Sequence, residues 1–181
     1  LHFDDIAFGP IYSRRLGSSL GVNLLPSKGK LCNFDCIYCE CGWNKDGAQD
    51  RRFPTYAEVA AALEQKIAAC AAEGTPVDSI TFSGNGEPTM HPDFPAVIDL
   101  ILSLRDRYYP AAKVSVLSNA TLVGRPEVAQ ALMKVDNPIL KIDASSDELV
   151  QKINKPVGHY RLDEVVESLM QFKANPDKTL S

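Results

Sequence analysis

The segment CNFDCIYC, residues 32–39, carries three cysteines in a C-x3-C-x2-C pattern, namely Cys32, Cys36 and Cys39. Three thiolates this close together can bind three irons of a cubane 4Fe–4S cluster and leave its fourth iron without a protein ligand. An electron-transfer ferredoxin supplies four cysteines to each cluster, so a three-cysteine loop leaves one iron free for another molecule. The spacing therefore predicts a cluster with one open iron.

The cysteines have two alternative uses, in disulfides and in a zinc site. The chain has five cysteines, an odd number, and it is neither short nor cysteine-rich, so a disulfide framework is not expected. A structural zinc site is the stronger alternative, because Cys41 can join the other three as a fourth ligand. A single residue separates Cys39 from Cys41, which is cramped for zinc, so the open cluster is favoured. Cys70 lies in an alanine-rich helical stretch and is predicted to be a small buried residue.

The composition favours one globular domain spanning residues 1–181. A chain of 181 residues can bury one substantial core, and its 45% apolar and 23% charged residues are ordinary values. No apolar run approaches the roughly 18 residues that a membrane span requires. Asp4, Asp5, Arg14 and Arg15 argue against a signal peptide, and with the odd cysteine count they favour a reducing cytoplasm.

The charge is uneven along the chain. Residues 1–55 carry seven Lys or Arg and six Asp or Glu, whereas residues 56–181 carry twelve and seventeen. An anionic partner would therefore prefer the N-terminal part, although the isoelectric point near 5.4 argues against a strong nucleic-acid footprint. A local basic rim near the cluster is one interpretation of six basic residues, and ordinary surface charge is the favoured interpretation for all of them: Arg14, Arg15, Lys28, Lys30, Arg51 and Arg52.

Strand and helix signals alternate along the chain. A helix is predicted to begin at Thr55, with Glu58 completing a capping box, and to end at Gly74. Ser145 and Glu148 suggest a second capping box. Strands are predicted at 19–25, 78–83, 113–117 and 139–144, and further helices at 94–107, 125–135, 145–154 and 162–173. The last helix is expected to turn five apolar residues inward: Leu162, Val165, Val166, Leu169 and Met170. This alternation predicts a parallel sheet with helices packed outside it.

Polar clusters follow all four predicted strands. They are the cysteine loop, residues 83–89, residues 118–121 and residues 143–146. The carboxyl ends of parallel strands meet at one edge of the sheet, where α/β enzymes hold their chemistry. The four clusters are therefore expected to face one cleft.

The cysteine spacing, with the aromatic Tyr38 just before the last cysteine, resembles the radical S-adenosylmethionine (SAM) superfamily. The turn GNGEP at residues 84–88 looks like the Gly-Gly-Glu element of that superfamily. Residues 9–17, 19–26, 83–89 and 152–156 together resemble a branch described as iron–sulfur oxidoreductases, related to the wyosine-base synthases that modify tRNA. The similarity covers most of the chain.

The resemblance implies a set of cofactor contacts. Two glycines permit close approach of the methionine part of SAM, and Glu87 can accept a hydrogen bond from its amino group. His91 follows this turn and is expected to border the SAM pocket without binding metal. The expected metal ligands are Cys32, Cys36 and Cys39, and the expected SAM contacts are Tyr38, Gly84, Asn85, Gly86, Glu87, Ser118, Asn119 and Asp143.

The resemblance also implies a reaction. A cluster reduced by flavodoxin or ferredoxin would cleave SAM to methionine and a 5′-deoxyadenosyl radical, which takes hydrogen from a substrate. The substrate is left open among RNA, a peptide and a small molecule, and no membrane partner is expected. The alternatives are an activating or peptide-modifying radical SAM enzyme, and a non-catalytic zinc-stabilised or iron–sulfur binding module.

The implied fold is a partial (βα) barrel of parallel strands with outer helices, short at its C-terminus. The superfamily core usually has six parallel strands, whereas about four to five are expected here. Residues 179–181 look like the start of a further strand, so a fragment or reduced core is expected. An exposed edge is expected at the fourth or fifth strand. Residues 6–16 were expected to cover part of that edge.

Overall fold

The computed structural model describes residues 2–47 and 51–174. Its strands form one five-stranded sheet in the order β1-β2-β3-β4-β5. The first pair is antiparallel and the other three pairs are parallel. The strands are β1 (Ala7–Ser13), β2 (Gly17–Val22), β3 (Ser79–Phe82), β4 (Lys113–Ser118) and β5 (Asn137–Leu140).

Helices follow the parallel strands, which confirms the predicted α/β fold of a partial barrel type. They are α1 (Tyr56–Ala72), α2 (Phe94–Tyr108), α3 (Pro126–Lys134), α4 (Asp147–Ile153) and α5 (Leu162–Lys173), with 3-10 turns at Asn44–Gly47 and Pro88–Met90. Within the described ranges, none of these helices has the length and apolarity to cross a membrane.

The core lies between the sheet and the helices α1, α2 and α3. Alternate strand residues point to this side and are fully buried, among them Leu20, Ile80, Phe82, Val114 and Val116. They pack in one cluster with the buried helix residues, among them Leu63, Ile67, Ile98, Ile101 and Leu132. Burial of such aliphatic side chains stabilises the fold by about 1.5–3 kcal/mol each. This packing holds the strands in register and so fixes where their carboxyl ends lie.

The opposite face of the sheet carries a row of polar side chains. Ser19 and Thr81 are in hydrogen-bond contact at 2.8 Å, Ser79 and Thr81 at 3.1 Å, and Asn137 donates to the Ser115 hydroxyl. Small hydroxyl side chains therefore lie on the face of the sheet that is turned away from α1, α2 and α3.

The predicted helix caps are right at α1 and wrong at α4. The Thr55 hydroxyl accepts the Glu58 N–H, and the Glu58 carboxylate accepts the Thr55 N–H, so the capping box is complete. At α4, Ser146 is the N-cap and its hydroxyl accepts the Leu149 N–H, so the Ser145–Glu148 box does not form. Ser145 and Ser146 are adjacent, and either hydroxyl can cap a helix. Strand β5 ends at Leu140 rather than 144, and the longer loop that follows lets α4 begin one residue later than predicted.

Helix α5 has the predicted bounds but not the predicted inner face. Val165 and Phe172 are buried, whereas Val166 and Met170 are exposed. Leu169 packs at the margin of the core. Helix α5 packs against the rest of the protein through fewer apolar residues than its sequence pattern predicted.

The N-terminal segment forms a strand that sequence reasoning did not predict. β1 pairs with β2, so it covers the sheet at the end opposite to β5, and the expectation that residues 6–16 cover the far edge is wrong. Antiparallel strands joined by a short turn pair with each other, and β1 is joined to β2 by such a turn. Among the described residues β5 pairs only with β4, which agrees with the expected exposed edge. Residues 179–181 lie outside the described residues.

Candidate functional site

A cavity of about 310 Å³ opens at the carboxyl ends of β3, β4 and β5. The three cysteines of the C-x3-C-x2-C segment line it together with residues that follow each of these strands. Its lining comprises Lys30, Cys32, Phe34, Cys36, Tyr38, Cys39, Gly84, Gly86, Glu87, Leu117, Ser118, Asn119, Ile139, Lys141 and Asp143. Three of the four predicted polar clusters, together with the start of the fourth, therefore do meet at one cleft.

Asn44 holds the start of the cysteine loop. Its side-chain oxygen accepts the Cys32 N–H at 2.9 Å, and its amide nitrogen donates to the Phe34 carbonyl at 3.2 Å. The Asn44 N–H donates to Asp35 at 2.8 Å. Asn44 is buried, so these bonds fix the loop without competition from water.

The segment 153–157 holds the rest of the loop like a short strand. The Asp35 N–H donates to the Asn154 carbonyl at 2.8 Å, and the Ile37 N–H donates to Ile153 at 2.9 Å. The Val157 N–H donates to Asn33 at 2.9 Å. The cysteine loop is therefore anchored on two sides by backbone contacts over 100 residues apart in sequence.

The three thiols differ in their surroundings. Burial raises the pKa of Cys32 to about 12, although the Phe34 N–H donates to its sulfur at 3.4 Å. The Cys41 thiol donates to Cys39, and this holds the pKa of Cys39 at about 5. The Asn154 side chain donates to the Cys36 sulfur at 3.3 Å. Donors aimed at sulfur suit thiolate ligands.

This donor set fits an iron–sulfur cluster. Three thiols share one cavity, and N–H groups point at two of them. Soft thiolates are the ligands that iron–sulfur clusters require. In the described ranges no three His, Cys, Asp or Glu side chains already converge in a metal-binding arrangement. Cys41 lies beside Cys39, with its sulfur 3.5 Å from the Gly84 carbonyl oxygen, and is not part of the cavity lining.

Lys30 is the buried cation of the site, and sequence reasoning assigned it to the surface. Its side chain is only 1% exposed, and its ammonium donates to Asp35 at 3.2 Å and to the Gly42 carbonyl at 3.3 Å. Burial lowers the pKa of Lys30, but Cys39, Cys32 and Asp35 raise it by more, so the ammonium stays charged. A positive charge beside two thiols favours their ionised form.

The other residues of the proposed basic rim do not gather at the cavity. Arg14 and Arg15 lie in the β1–β2 turn, where Ser13 pairs with Gly17 at the amino end of β2. That is the end of the sheet opposite to the cavity. Arg52 is exposed and pairs with Glu58 at 2.9 Å. The antiparallel hairpin, which the sequence did not reveal, sends its two arginines away from the cysteines.

The glycine turn packs directly against the cysteine loop. A Cβ atom on Gly86 would lie 1.8 Å from the Leu31 carbonyl oxygen, and Gly86 has a φ of +149°. The Leu31 N–H donates to the Asn85 carbonyl at 2.8 Å. Only glycine allows this approach, because it has no Cβ and tolerates positive φ.

Glu87 is bound by protein donors on both carboxylate oxygens. One oxygen accepts from the Thr89 hydroxyl at 2.6 Å and from the Ser118 hydroxyl at 2.8 Å, and the other accepts the Asn119 N–H at 2.7 Å. Burial raises the pKa of Glu87, against the opposing effect of these bonds. The carboxylate therefore joins the end of β3 to the end of β4, besides lining the cavity.

Two residues expected at the SAM pocket lie elsewhere. The Asn85 side chain is fully buried, donates to the Phe3 and Pro26 carbonyls at 2.8 and 2.9 Å, and is absent from the cavity lining. His91 accepts the Asp93 N–H at Nδ1 and contacts the Pro54 carbonyl through Nε2 at 2.6 Å. The backbone of the turn reaches the cavity, whereas these two side chains point away and tie distant segments together.

The remaining predicted residues form a polar group at the cavity mouth. The Tyr38 hydroxyl donates to Asp143 and accepts from Lys141 at 2.9 Å, and the Lys141 ammonium lies 4.2 Å from the Tyr38 ring centre. Burial raises the pKa of Asp143, but the hydrogen bonds from Tyr38, Asn154 and Lys141 outweigh it, so the pKa lies below its usual value. Tyr38 thereby spans from the cysteine loop to the residues after β5.

Asn119 connects the end of β4 to the cysteine loop. Its amide nitrogen donates to Asn33 at 2.6 Å, and its oxygen accepts the Thr121 hydroxyl at 2.7 Å. Asn33 donates in turn to the Thr121 hydroxyl at 2.6 Å. Sequence reasoning assigned Asn33 no role of its own, because its side-chain partners Asn119 and Thr121 lie more than 80 residues further along the chain.

The sequence matches a known protein family over most of its length. A sequence model of the radical SAM superfamily matches residues 27–177, which include the cysteine loop, the glycine turn and the ends of β4 and β5. The chain belongs to the radical SAM superfamily. The predicted relationship is confirmed at this level.

Curated relatives extend the comparison. The chain is 32% identical over 171 residues to the UPF0026 protein MJ1312 of Methanocaldococcus jannaschii, covering 94% of this chain and 50% of that protein. It is 35% identical over 167 residues to a UPF0026 protein of Helicobacter pylori, covering 92% of this chain and 51% of the relative. The chain thus spans about half the length of the curated relatives it matches. Among solved structures, archaeal TYW1 aligns over 85% of this chain and 49% of its own, with a TM-score of 0.42 and 14% identity.

Proposed function

We propose that this radical SAM chain binds a 4Fe–4S cluster through Cys32, Cys36 and Cys39 and uses it to cleave SAM. The observation that carries the proposal is that the three cysteines line one cavity with the glycine turn and the ends of β4 and β5. The zinc alternative does not account for that shared lining. A structural zinc site has no use for an adjoining cavity.

The chain's own groups suit the binding of a cluster with an open iron. Three thiolates bring three negative charges, and the buried Lys30 ammonium offsets part of that charge. Asn44 and the segment 153–157 hold the loop in place. When bound, the cluster supplies the electron that cleaves SAM to methionine and a 5′-deoxyadenosyl radical.

The SAM contacts proposed here follow the cavity lining. Gly84 and Gly86 line the cavity, and their backbone is the proposed contact for the amino-acid end of the ligand. Ser118, Asn119 and Asp143 present polar atoms from the strand ends, and Glu87 orients Ser118 and Asn119. Asn85 supports the turn from behind and is not among the proposed contacts.

Tyr38 is proposed to shield the site. Its ring stands at the cavity mouth and is about half exposed, and it is held by Lys141 and Asp143. Excluding water protects a reactive intermediate from side reactions. The apolar side chains of Leu117 and Ile139 line the same space and serve the same end. A donor of the flavodoxin or ferredoxin type would reduce the cluster, and the substrate would be an RNA, a peptide or a small molecule.

Cysteine variants test the proposal. Protein reconstituted anaerobically with iron and sulfide is assayed for iron per chain, for the electron paramagnetic resonance signal of the reduced cluster with and without SAM, and for 5′-deoxyadenosine. The wild type is expected to bind four irons, to change its signal when SAM is added, and to form 5′-deoxyadenosine. Cys32→Ser, Cys36→Ser and Cys39→Ser are expected to lose the cluster.

Cys41→Ser and Cys70→Ser are the matched controls. Cys41 lies outside the cavity lining and Cys70 is buried in α1, so both variants are expected to keep the iron content of the wild type. A colourless protein that binds one zinc, and loses it in Cys41→Ser, would overturn the proposal in favour of a four-cysteine zinc site.

A further inference from the structure

Asn154 has an unusual set of partners. Its side chain is 1% exposed, and its Nδ2 lies 3.3 Å from the Cys36 sulfur, 2.7 Å from an Asp143 carboxylate oxygen and 3.1 Å from the Tyr38 hydroxyl oxygen. An amide nitrogen carries two hydrogens, yet three acceptors stand within reach. The two hydrogens are therefore shared between a cysteine of the loop and polar groups at the cavity mouth.

The position of Asn154 is fixed independently of this side chain. Its N–H donates to Val150 at 2.8 Å as the C-cap of α4, and its carbonyl accepts the Asp35 N–H. The backbone therefore aims the amide at Cys36 with both of its own groups satisfied.

We propose that Asn154 is a positioning residue that couples the cavity mouth to the electronic state of the cluster bound at Cys36. A hydrogen bond to a ligating sulfur withdraws electron density from it and raises the reduction potential of the cluster. A ligand that engages Asp143 changes how the two hydrogens are shared, and so changes the bond to Cys36. This inference rests on the proposed function, since it requires a cluster at the three cysteines.

The first readout is the midpoint reduction potential of the cluster in the reconstituted protein. It is measured by electron paramagnetic resonance at a series of poised potentials. Asn154→Ala is expected to bind iron and to show a more negative potential than the wild type. A purely structural residue would lower iron content or stability without moving the potential of the clusters that form. If Asn154→Ala does not fold, Asn154→Leu, which is close in volume, takes its place.

The second readout is the shift in potential when SAM is added. The wild type is expected to shift by more than the Asn154 variant, because the variant has no amide to redistribute. Asn137→Ala is the control, since Asn137 also donates through its amide, to Ser115 at 3.1 Å, but lies outside the cavity lining. It is expected to behave as the wild type in both readouts.

The outcomes separate the inference from the function. A wild type that binds no cluster overturns both. A wild type that binds a cluster and cleaves SAM, with the same potential and the same SAM shift in the Asn154 variant, overturns the inference alone. A lowered potential with a reduced SAM shift supports it.

Discussion

Gly86→Ala is expected to separate the glycine turn from the cysteine loop. The new Cβ would lie 1.8 Å from the Leu31 carbonyl oxygen, which is backbone and cannot rotate away. Relief of this contact requires the Leu31 segment to move, and the bond from the Leu31 N–H to the Asn85 carbonyl is lost with it. Because Cys32 follows Leu31 directly, the movement reaches the first cysteine of the loop.

The size of the effect follows from two contributions. An alanine at a φ of +149° costs about 1–3 kcal/mol. Breaking a hydrogen bond at the buried Leu31 costs about 1–3 kcal/mol more, because its N–H is left without a partner. We therefore expect Gly86→Ala to lower the free energy of unfolding by roughly 2–6 kcal/mol.

Gly158→Ala is the matched control. Gly158 also has a positive φ, of +94°, but a Cβ there would meet nothing within 4 Å. This variant bears the backbone strain alone, about 1–2 kcal/mol, offset in part by the lower entropy of its unfolded chain. Urea unfolding of the metal-free proteins measures both changes, and iron content after reconstitution shows whether the cysteine loop has moved.

The two variants decide whether the close approach matters. Gly86→Ala is expected to lose much more stability and more iron than Gly158→Ala. Equal losses in the two variants would refute the reasoning, because they would mean that backbone strain alone accounts for the effect.

Three further variants test separate parts of the structure. Lys30→Met removes the ammonium that pairs with Asp35, while the Asn44 N–H still donates to that carboxylate. Asp35 stays largely buried without a cation, so the unfolding free energy of the metal-free protein should fall by about 3 kcal/mol. A loss below about 1 kcal/mol would contradict a buried ion pair. Arg52 holds the pKa of Glu58 at about 2. The difference in unfolding free energy between wild type and Glu58→Gln should therefore be full above about pH 4.5 and vanish towards pH 2. A difference that does not depend on pH would contradict this reasoning. His91→Ala should destabilise the fold yet leave iron per chain unchanged, and loss of iron would contradict the three-cysteine assignment.

Some of the fold and site could be predicted because the determining interactions are local. The capping box of Thr55 and Glu58 spans three residues, so its hydrogen bonds depend on little beyond the sequence that carries them. The alternation of strands and helices follows from periodicity and predicted the parallel strands β2 to β5. Parallel strands bring their carboxyl ends together, so the meeting of the cysteine loop, the glycine turn and the later strand ends also followed from the order of elements.

Other features depended on the tertiary structure because their partners are far apart in sequence. Lys30 reads as a surface charge until the fold places Asp35 and the Gly42 carbonyl around its ammonium. Asn85 lies in the glycine turn, but its side chain donates hydrogen bonds to the Phe3 and Pro26 carbonyls and so points away from the cavity.

Asn154 is the clearest example of a residue whose role depends on a partner far away in sequence. It lies 118 positions from Cys36, and only the pairing of segment 153–157 with the cysteine loop brings its amide to that sulfur. The spacing of the cysteines alone determined which side chains were candidates for a cluster. Packing decided which buried donors surround them, because a hydrogen bond depends on distance and direction in space, which sequence separation does not specify.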